Sequence, residues 1–343
     1  MLFIIFTSKF THSTIAFFTA FAFCSNGRIL IYDSIQGLID TTFSLVVYLN
    51  FITIYYYGSR NKHTHFFVLS YLITAVGFLT KGMPMLVFQA ITIFTWFLMQ
   101  KDLKKIFHRA HFLGIAIFLV ISISYYVAYF SVSSTTPQTV FLTLLNESTK
   151  RTGIEQGAIN TITHLLTFPF WFLFHFAPWT IFIIVLFQKN LLSKLKENRF
   201  IFYSACIFLT NISVYWLSPQ VYPRYLFMFL PLGFSVFFYI YFTHTTGKWQ
   251  VRFLQITLWV ICGLLALACI IVPFLKVTQA ISYSGIKAAI LGGLLLTTFL
   301  IAVYFRNSRL YAFVAAIIIF RFGFNLFVVA HAIGRESQTT LPN

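Results

Sequence analysis

Two short stretches of the chain place an ionisable group at the edge of an apolar run. Asp40 lies within Gly37–Phe43, and Lys81 lies within Leu79–Pro84. A charge is costly in hydrocarbon unless it faces a polar cavity or a partner, so such residues are candidates for function. The acid could accept a proton from a hydroxyl or bind a divalent cation, and the ammonium could hold phosphate oxygens. The alternatives are an interfacial anchor for Lys81 and an acid that favours a helix N-terminus for Asp40.

The composition sets the class of protein in which these groups must be positioned. Of 343 residues, 59% are hydrophobic and 9% are charged, and the mean hydropathy is +0.84. A soluble domain has about 25% charged residues, so the chain is predicted to be an all-α polytopic membrane protein. The net charge of +17 arises from seven acidic against 24 basic residues. These bases are scattered through loops and form no groove, which argues against nucleic-acid binding.

Apolar runs cover most of the chain and are separated by short polar loops. A membrane-spanning helix needs about 20 mostly apolar residues. About eleven candidate runs lie at Ser13–Cys24, Ile39–Tyr57, Phe66–Leu79, Met85–Met99, Phe112–Phe130, Ile162–Phe187, Phe200–Trp216, Tyr225–Phe242, Phe253–Leu275, Ala288–Tyr304 and Leu310–Ala330. Because several runs are short, we expect about 9–11 transmembrane helices, with extracytoplasmic loops forming the site. The polar stretch Ser131–Thr161 is expected to be a partly ordered loop that covers it.

Basic residues in alternate loops predict the orientation. One set of loops holds fifteen Lys and Arg residues and the other set holds eight, with Arg321 inside the last run. The positive-inside rule makes the richer set cytoplasmic. The outer face then carries Asp40, Lys81, Glu147, Lys150, Arg151 and Arg224. Both signs of charge on the side that disfavours cations indicate a site.

The chemistry of such a site follows from its location. An extracytoplasmic face has no nucleotide sugars or ATP, so group transfer there usually starts from a lipid-linked phosphate donor. Lys81, Arg151 and Arg224 could neutralise that phosphate, and Arg can do so through two parallel bonds. Lys150 could do the same or contact lipid headgroups. Among the acids, Asp40 is the first candidate and Glu147 the second, whereas Asp33 and Glu155 are expected to be solvated loop acids.

The order of these features resembles the lipid A aminoarabinose transferase and protein O-mannosyltransferase-like group, which are integral-membrane glycosyltransferases of the GT-C type. The segments that carry the resemblance are Arg28–Asp40, Gly77–Gly82 with its G-x-x-T-K-G pattern, Lys101–Lys105, Asn146–Arg151 and Tyr222–Tyr225, followed by Leu230-Pro231. The resemblance implies that Lys81, Arg151, Arg224 and Tyr222 bind the donor phosphate. The Asp that is usually regarded as most important in the family has no counterpart here, so the catalytic candidates stay the acids chosen for their chemistry, Asp40 and Glu147. The metal ligands are unknown, and a divalent metal ion remains an open alternative as cofactor.

The resemblance also bears on the extent of the domain. It implies one transmembrane glycosyltransferase-like domain over residues 1–335 and a short polar tail over 336–343. Family members begin with a helix and an outer loop that carries an Asp-Glu pair, and many continue into a soluble outer domain. Neither part is recognisable here, and Ser148 stands where some members place a His metal ligand. We therefore expect the chain to correspond to the middle of a longer enzyme.

The implied function is transfer of a sugar from a polyprenyl-phosphate donor to a lipid A-like, glycan or protein acceptor at the outer face of the cytoplasmic membrane. The protein would be a multi-pass enzyme in contact with membrane lipids. One alternative is a transporter or lipid flippase, which would place ionisable groups near the bilayer midplane in two matching halves. The charged residues instead gather on one face of the membrane, and only Arg321 is expected to lie deep within the bilayer. Another alternative is an inactive truncated fragment of the glycosyltransferase.

Overall fold

The computed structural model describes residues 7–33, 39–149, 157–244, 247–271, 274, 281 and 283–329. These residues form helices and connecting turns, with no strand among them. The α-helices are α1 (Ser13–Ser25), α2 (Ile39–Gly58), α3 (His63–Lys81), α4 (Pro84–Met99), α5 (Arg109–Val132), α6 (Pro137–Thr149), α7 (Ala158–His175), α8 (Leu191–Lys196), α9 (Arg199–Trp216), α10 (Leu230–Thr243), α11 (Lys248–Ile271), α12 (Ser284–Tyr304) and α13 (Arg309–Phe324). The chain divides into two compact units, Met1–Thr245 and Thr246–Asn343.

Six of the described helical segments are long and apolar enough to cross a membrane. They are His63–Lys81, Arg109–Val132, Pro223–Thr243, Lys248–Ile271, Ser284–Tyr304 and Arg309–Phe327. The shorter apolar helices α1 and α4 accompany them. The prediction of an all-α polytopic membrane protein is confirmed.

Helix α10 forms the centre of the first unit. It is buried from Leu230 to Ile240 and packs against α1, α9 and the 3₁₀ helix Trp179–Leu186. A helix that is apolar on all sides needs neighbours on all sides. The ring of Phe238 accordingly lies 5.7 Å from that of Phe18 and 5.9 Å from that of Trp179. The Trp179 indole donates a hydrogen bond to the Ser25 hydroxyl at 2.9 Å, which satisfies the polar end of this buried side chain.

Helices α2, α3 and α4 are joined by buried polar side chains. Asn50 donates to the Gln89 carbonyl oxygen, and the Gln89 amide donates to the Ser70 hydroxyl at 3.0 Å. Hydrogen bonds of this kind between membrane helices contribute roughly 0.6 to 2 kcal/mol each. This network therefore fixes how the three helices associate, and two of them carry residues of the site described below.

The single helix predicted over Ile162–Phe187 is wrong. Helix α7 ends at His175, a turn follows, and the 3₁₀ helix Trp179–Leu186 completes the apolar run. Pro178 lacks an N–H and disfavours helical backbone at the residue before it, which explains the break. The expected loop Ser131–Thr161 likewise contains a helix, α6, and Pro137 occupies its first position, where a missing N–H costs nothing.

Within the first unit, different chain segments lie together at the two opposite ends of the helices. Asn198 donates to the Phe10 carbonyl at 3.0 Å, and the Phe10 and Tyr55 rings lie 4.9 Å apart. Arg199 donates to the Gln100 side chain at 2.9 Å. The loops rich in basic residues therefore lie together at one end of α2, α4 and α9. The start of α2 lies at the opposite end of that helix, and the end of α3 lies on the same side as the start of α2.

The second unit consists of α11, α12 and α13, which pack on one another. The Trp259 indole and the Arg309 guanidinium both donate to the Ala302 carbonyl at 3.0 Å. Gly323 faces Leu291 and Cys269, and a Cβ there would meet them at 3.4 Å and 3.9 Å. Small residues at such contacts allow membrane helices to approach closely.

Candidate active site

Three helix ends meet at the candidate site, and each brings one of its charged residues. Asp40 lies in the first turn of α2, Lys81 is the last residue of α3, and Arg224 lies in the first turn of the 3₁₀ helix Pro223–Phe229. Gly82 ends α3 with a φ of +78°, a conformation that glycine adopts without strain, and its N–H bonds the Phe78 carbonyl at 2.7 Å. Pro84 then begins α4. This turn between α3 and α4, which we call the Lys81 corner, fixes the backbone position of Lys81.

Asp40 pairs with both cations. Its Oδ1 accepts a hydrogen bond from Lys81 Nζ, and its Oδ2 lies 2.7 Å from Arg224 Nε. Asp40 is buried, with 6% of its surface exposed. The side chains of Lys81 and Arg224 retain 18% and 24% exposure. We call these three residues the Asp40 cluster. Because two cations share one carboxylate, the cluster has an excess positive charge that can bind an anion.

Aromatic rings support the two cations. Lys81 Nζ lies 3.7 Å from the centre of the Tyr225 ring and 5.2 Å from that of Phe43. The guanidinium carbon of Arg224 lies 4.7 Å from the centre of the Tyr222 ring. Cation–π contacts of this kind contribute about 0.5 to 2 kcal/mol. Tyr222 was predicted from the sequence; Tyr225 and Phe43 were not, although Phe43 stands three residues after Asp40 and so shares its helix face.

A second ion pair, between Arg28 and Asp33, contradicts the expectation that Asp33 is a solvated acid. Arg28 Nε donates to Asp33 Oδ2 at 2.7 Å and Nη2 donates to Oδ1 at 3.1 Å. The Asp33 side chain is only 4% exposed. The residues are five apart on a π-helical turn that also contacts Pro223–Phe229. Ordinary helical spacing pairs residues three or four apart, so the sequence pattern did not reveal this pair.

Glu147 lies on α6 and is exposed. The same helix approaches the Lys81 corner, because a Cβ built on Gly82 would meet Leu144 Cδ2 at 3.0 Å. Leu144 and Glu147 are three residues apart and share a helix face. Arg151, together with Lys150 and Glu155, lies outside the described residues. The structure thus brings Asp40, Lys81, Arg224 and Tyr222 together and carries Glu147 on a neighbouring helix.

The residues present do not fit a divalent metal ion at Asp40. Both of its oxygens face cations, and a metal ion there would be repelled by Lys81 and Arg224. Across the described ranges, no three His, Cys, Asp or Glu side chains are grouped as metal ligands. His111 bonds the Tyr71 hydroxyl and the Ile106 carbonyl, and His108 accepts a hydrogen bond from the Ala110 N–H. These two histidines have structural partners.

Comparison with known proteins supplies one match. No protein-family model matches the chain, and no curated protein sequence matches it. Its structure is similar to the crystal structure of ArnT from Cupriavidus metallidurans bound to undecaprenyl phosphate, with a TM-score of 0.63 and 14% sequence identity. The similarity covers 97% of this chain and 61% of that chain, so this chain spans less than two thirds of the length of ArnT. The chain therefore shares the membrane-protein fold of ArnT, as the sequence resemblance implied.

Proposed function

We propose that this protein is a glycosyltransferase that uses a polyprenyl-phosphate-linked sugar donor. The acceptor would be a lipid of the lipid A or lipopolysaccharide type, a glycan or a protein at the outer face of the cytoplasmic membrane. The observation that carries the proposal is the Asp40 cluster, in which two partly exposed cations share one buried acid. The similarity to ArnT, whose structure contains undecaprenyl phosphate, supports a lipid-linked phosphate as the anion.

In this proposal, Lys81 and Arg224 stabilise the leaving phosphate. As the bond between the sugar C1 and the phosphate oxygen breaks, negative charge grows on that oxygen. Cations already held in place stabilise this charge without reorganising. A guanidinium has five N–H donors, and Asp40 faces the Nε of Arg224. The Nη groups can therefore bind the phosphate while Asp40 keeps both cations in position.

The acceptor side of the reaction needs a base. The acceptor oxygen forms a bond to the sugar C1, polyprenyl phosphate leaves, and the acceptor hydroxyl loses its proton. Asp40 is poorly placed to receive that proton, because both of its oxygens already face cations. We assign the proton to Glu147, which is exposed on α6 beside the Lys81 corner. Arg151 and Tyr222 complete the proposed donor site, with Tyr222 against Arg224.

The location of the charges favours an enzyme over a transporter. A transporter typically holds its substrate near the bilayer midplane at interrupted helices. In the described part of the chain, the ion pairs of Asp40, Asp33 and Asp102 all lie at helix ends. The polar network deep in the first unit, between Asn50 and Gln89, is uncharged.

The test is binding of undecaprenyl phosphate to the purified protein in lipid nanodiscs, with undecaprenol as the uncharged competitor. Lys81→Met and Arg224→Gln should each weaken binding about tenfold or more, since each removes a charged contact worth about 1.5 to 3 kcal/mol. Lys104→Met is the matched control, because Lys104 is exposed on the loop after α4. Equal binding of undecaprenyl phosphate and undecaprenol would contradict the proposal. So would unchanged binding of undecaprenyl phosphate in both variants.

A further inference from the structure

An entirely apolar groove lies in the first unit, among α7, the 3₁₀ helix Trp179–Leu186, α8, α9 and α10. It encloses a cavity of about 310 Å³. Its lining includes Phe172, Leu195, Ala205, Leu209, Trp216 and Phe237. The Trp216 indole N–H is directed to the Leu165 carbonyl at 2.8 Å, so this side chain offers the groove its apolar surface. A surface without polar groups gives water no hydrogen-bond partners, so filling the groove with water is unfavourable. The groove is therefore suited to hydrocarbon.

The groove is elongated along α9. Ala205, Leu209, Ile212 and Trp216 all line it and recur at the spacing of one helix face. The rise of an α-helix places Trp216 about 16 Å from Ala205 along the axis. A space of about 310 Å³ that extends along this length matches one linear hydrocarbon chain better than a compact ligand.

Positive charge lies at one end of the groove. Leu191 and Leu195 of α8 form part of its lining, and Lys194 and Lys196 lie on the same short helix, just after Lys189. We call these three lysines the lysine rim. Residues 189–199 contain four basic residues and one acid, Glu197. A lysine stem can cover apolar surface while its ammonium stays at the interface.

Lys194 is held at the edge of the groove. Its ammonium donates to the Gln188 carbonyl oxygen, and the Gln188 amide donates to the Val185 carbonyl at 2.6 Å. Val185 belongs to the 3₁₀ helix whose Ile183 and Leu186 line the groove. An ammonium has three donors, so the bond to Gln188 leaves capacity for a phosphate oxygen.

We propose that this groove and the lysine rim bind an anionic phospholipid, with one acyl chain in the groove and the phosphate on Lys189, Lys194 and Lys196. The charge of the rim selects an anionic headgroup, because basic residues near a membrane surface attract anionic lipids. The site is separate from the Asp40 cluster, which is built from α2, α3 and the 3₁₀ helix Pro223–Phe229. It therefore does not depend on the proposed transfer reaction.

Trp216 provides the test, because it lines the groove and is the residue that a bound acyl chain would touch. Bromine atoms on an acyl chain quench tryptophan on contact. Purified protein in detergent is titrated with phosphatidylglycerol that carries brominated acyl chains. Because the chain has five other tryptophans, we expect a saturable component of the quenching that is absent in Trp216→Phe. Unbrominated phosphatidylglycerol should compete at about tenfold lower concentration than phosphatidylcholine with the same chains.

Two triple variants decide the role of the lysine rim. The combined changes Lys189→Gln, Lys194→Gln and Lys196→Gln should weaken the quenching by phosphatidylglycerol about tenfold or more. The matched control replaces Lys62, Lys101 and Lys104, which are exposed, and should change nothing. Ala205→Phe should fill the groove and remove the Trp216-dependent quenching by brominated phosphatidylglycerol. Equal affinity for the two lipids, selective displacement by undecaprenyl phosphate, or no quenching dependent on Trp216 would overturn the proposal.

Discussion

The ammonium of Lys81 lies 3.7 Å from the centre of the Tyr225 ring and also bonds the carboxylate of Asp40. Tyr225 is buried, with 7% exposure, and its ring lies 5.9 Å from that of Tyr215 on α9. The position of Lys81 is therefore set by groups from α2 and from the segment after α9, as well as by its own helix. Changes to these neighbours should alter phosphate binding even when Lys81 itself is intact.

Tyr225→Leu should weaken undecaprenyl phosphate binding about threefold to tenfold, because it removes the aromatic face under the Lys81 ammonium. Tyr225→Phe retains the ring and should bind within about twofold of the natural protein. The measurement is the dissociation constant in nanodiscs. If the two variants lose affinity equally, the hydroxyl or general packing matters, and the cation–π contact does not.

Asp40→Asn should lower the free energy of unfolding by about 2 kcal/mol or more, because it leaves two neighbouring cations without their carboxylate. It should also make undecaprenyl phosphate a better stabiliser, since the anion would supply the missing negative charge. Thermal unfolding with and without the lipid measures both effects. We expect a larger ligand-induced shift in Asp40→Asn than in the natural protein. A smaller shift would assign Asp40 a direct role in binding the lipid.

The Arg28–Asp33 pair should behave as a coupled unit. Arg28→Gln leaves the buried Asp33 carboxylate without its charged partner and should destabilise the protein by about 2 kcal/mol or more. The double change of Arg28→Gln with Asp33→Asn should be less harmful than the sum of the single changes, with a coupling of about 1 to 3 kcal/mol. A double-mutant cycle of thermal unfolding in detergent checks this. Additive effects would show that the bidentate contact has no net value.

The orientation of the site can be tested by cysteine labelling. In a background without the four natural cysteines, Thr80→Cys next to Lys81 should react with an impermeant thiol reagent added outside intact cells. Lys104→Cys, on the loop after α4, should react only after permeabilisation. The positive-inside rule predicts this difference. The reverse pattern would place the Asp40 cluster on the cytoplasmic side and remove the reason for a lipid-linked donor.

Much of the Asp40 cluster could be predicted from the sequence. Alternation of apolar runs and loops predicts that Asp40, Lys81 and Arg224 lie on the same side of the membrane, and the structure brings them into contact. Tyr225 lies in the Tyr222–Tyr225 segment that carries the resemblance, but its role beside Lys81 was not predicted, because 20% of the chain is aromatic and composition does not show which ring supports a cation. Its role depends on how the segment Pro223–Phe229 packs against α2, which is a tertiary relationship.

The fold shows the same division. Helical class and most boundaries follow from run lengths, and Pro178 was a local signal for the break within Ile162–Phe187. The π-helical pairing of Arg28 with Asp33 had no such signal, because a five-residue spacing is brought together only when an α-helical turn widens. The prediction of a loop over Ser131–Thr161 missed the helix Pro137–Thr149, because the polar residues of this segment interrupt the apolar pattern.

The sharing of Asp40 by two cations also orders events during synthesis. The ribosome delivers α2 and α3 together, so Asp40 and Lys81 enter the bilayer as neighbours on a helical hairpin with balanced charge. Arg224 emerges only after the described helices α4 to α9 have been made. If the cluster binds phosphate as proposed, its second cation is supplied only at this late stage, so the phosphate site is completed after α2 and α3 are already inserted.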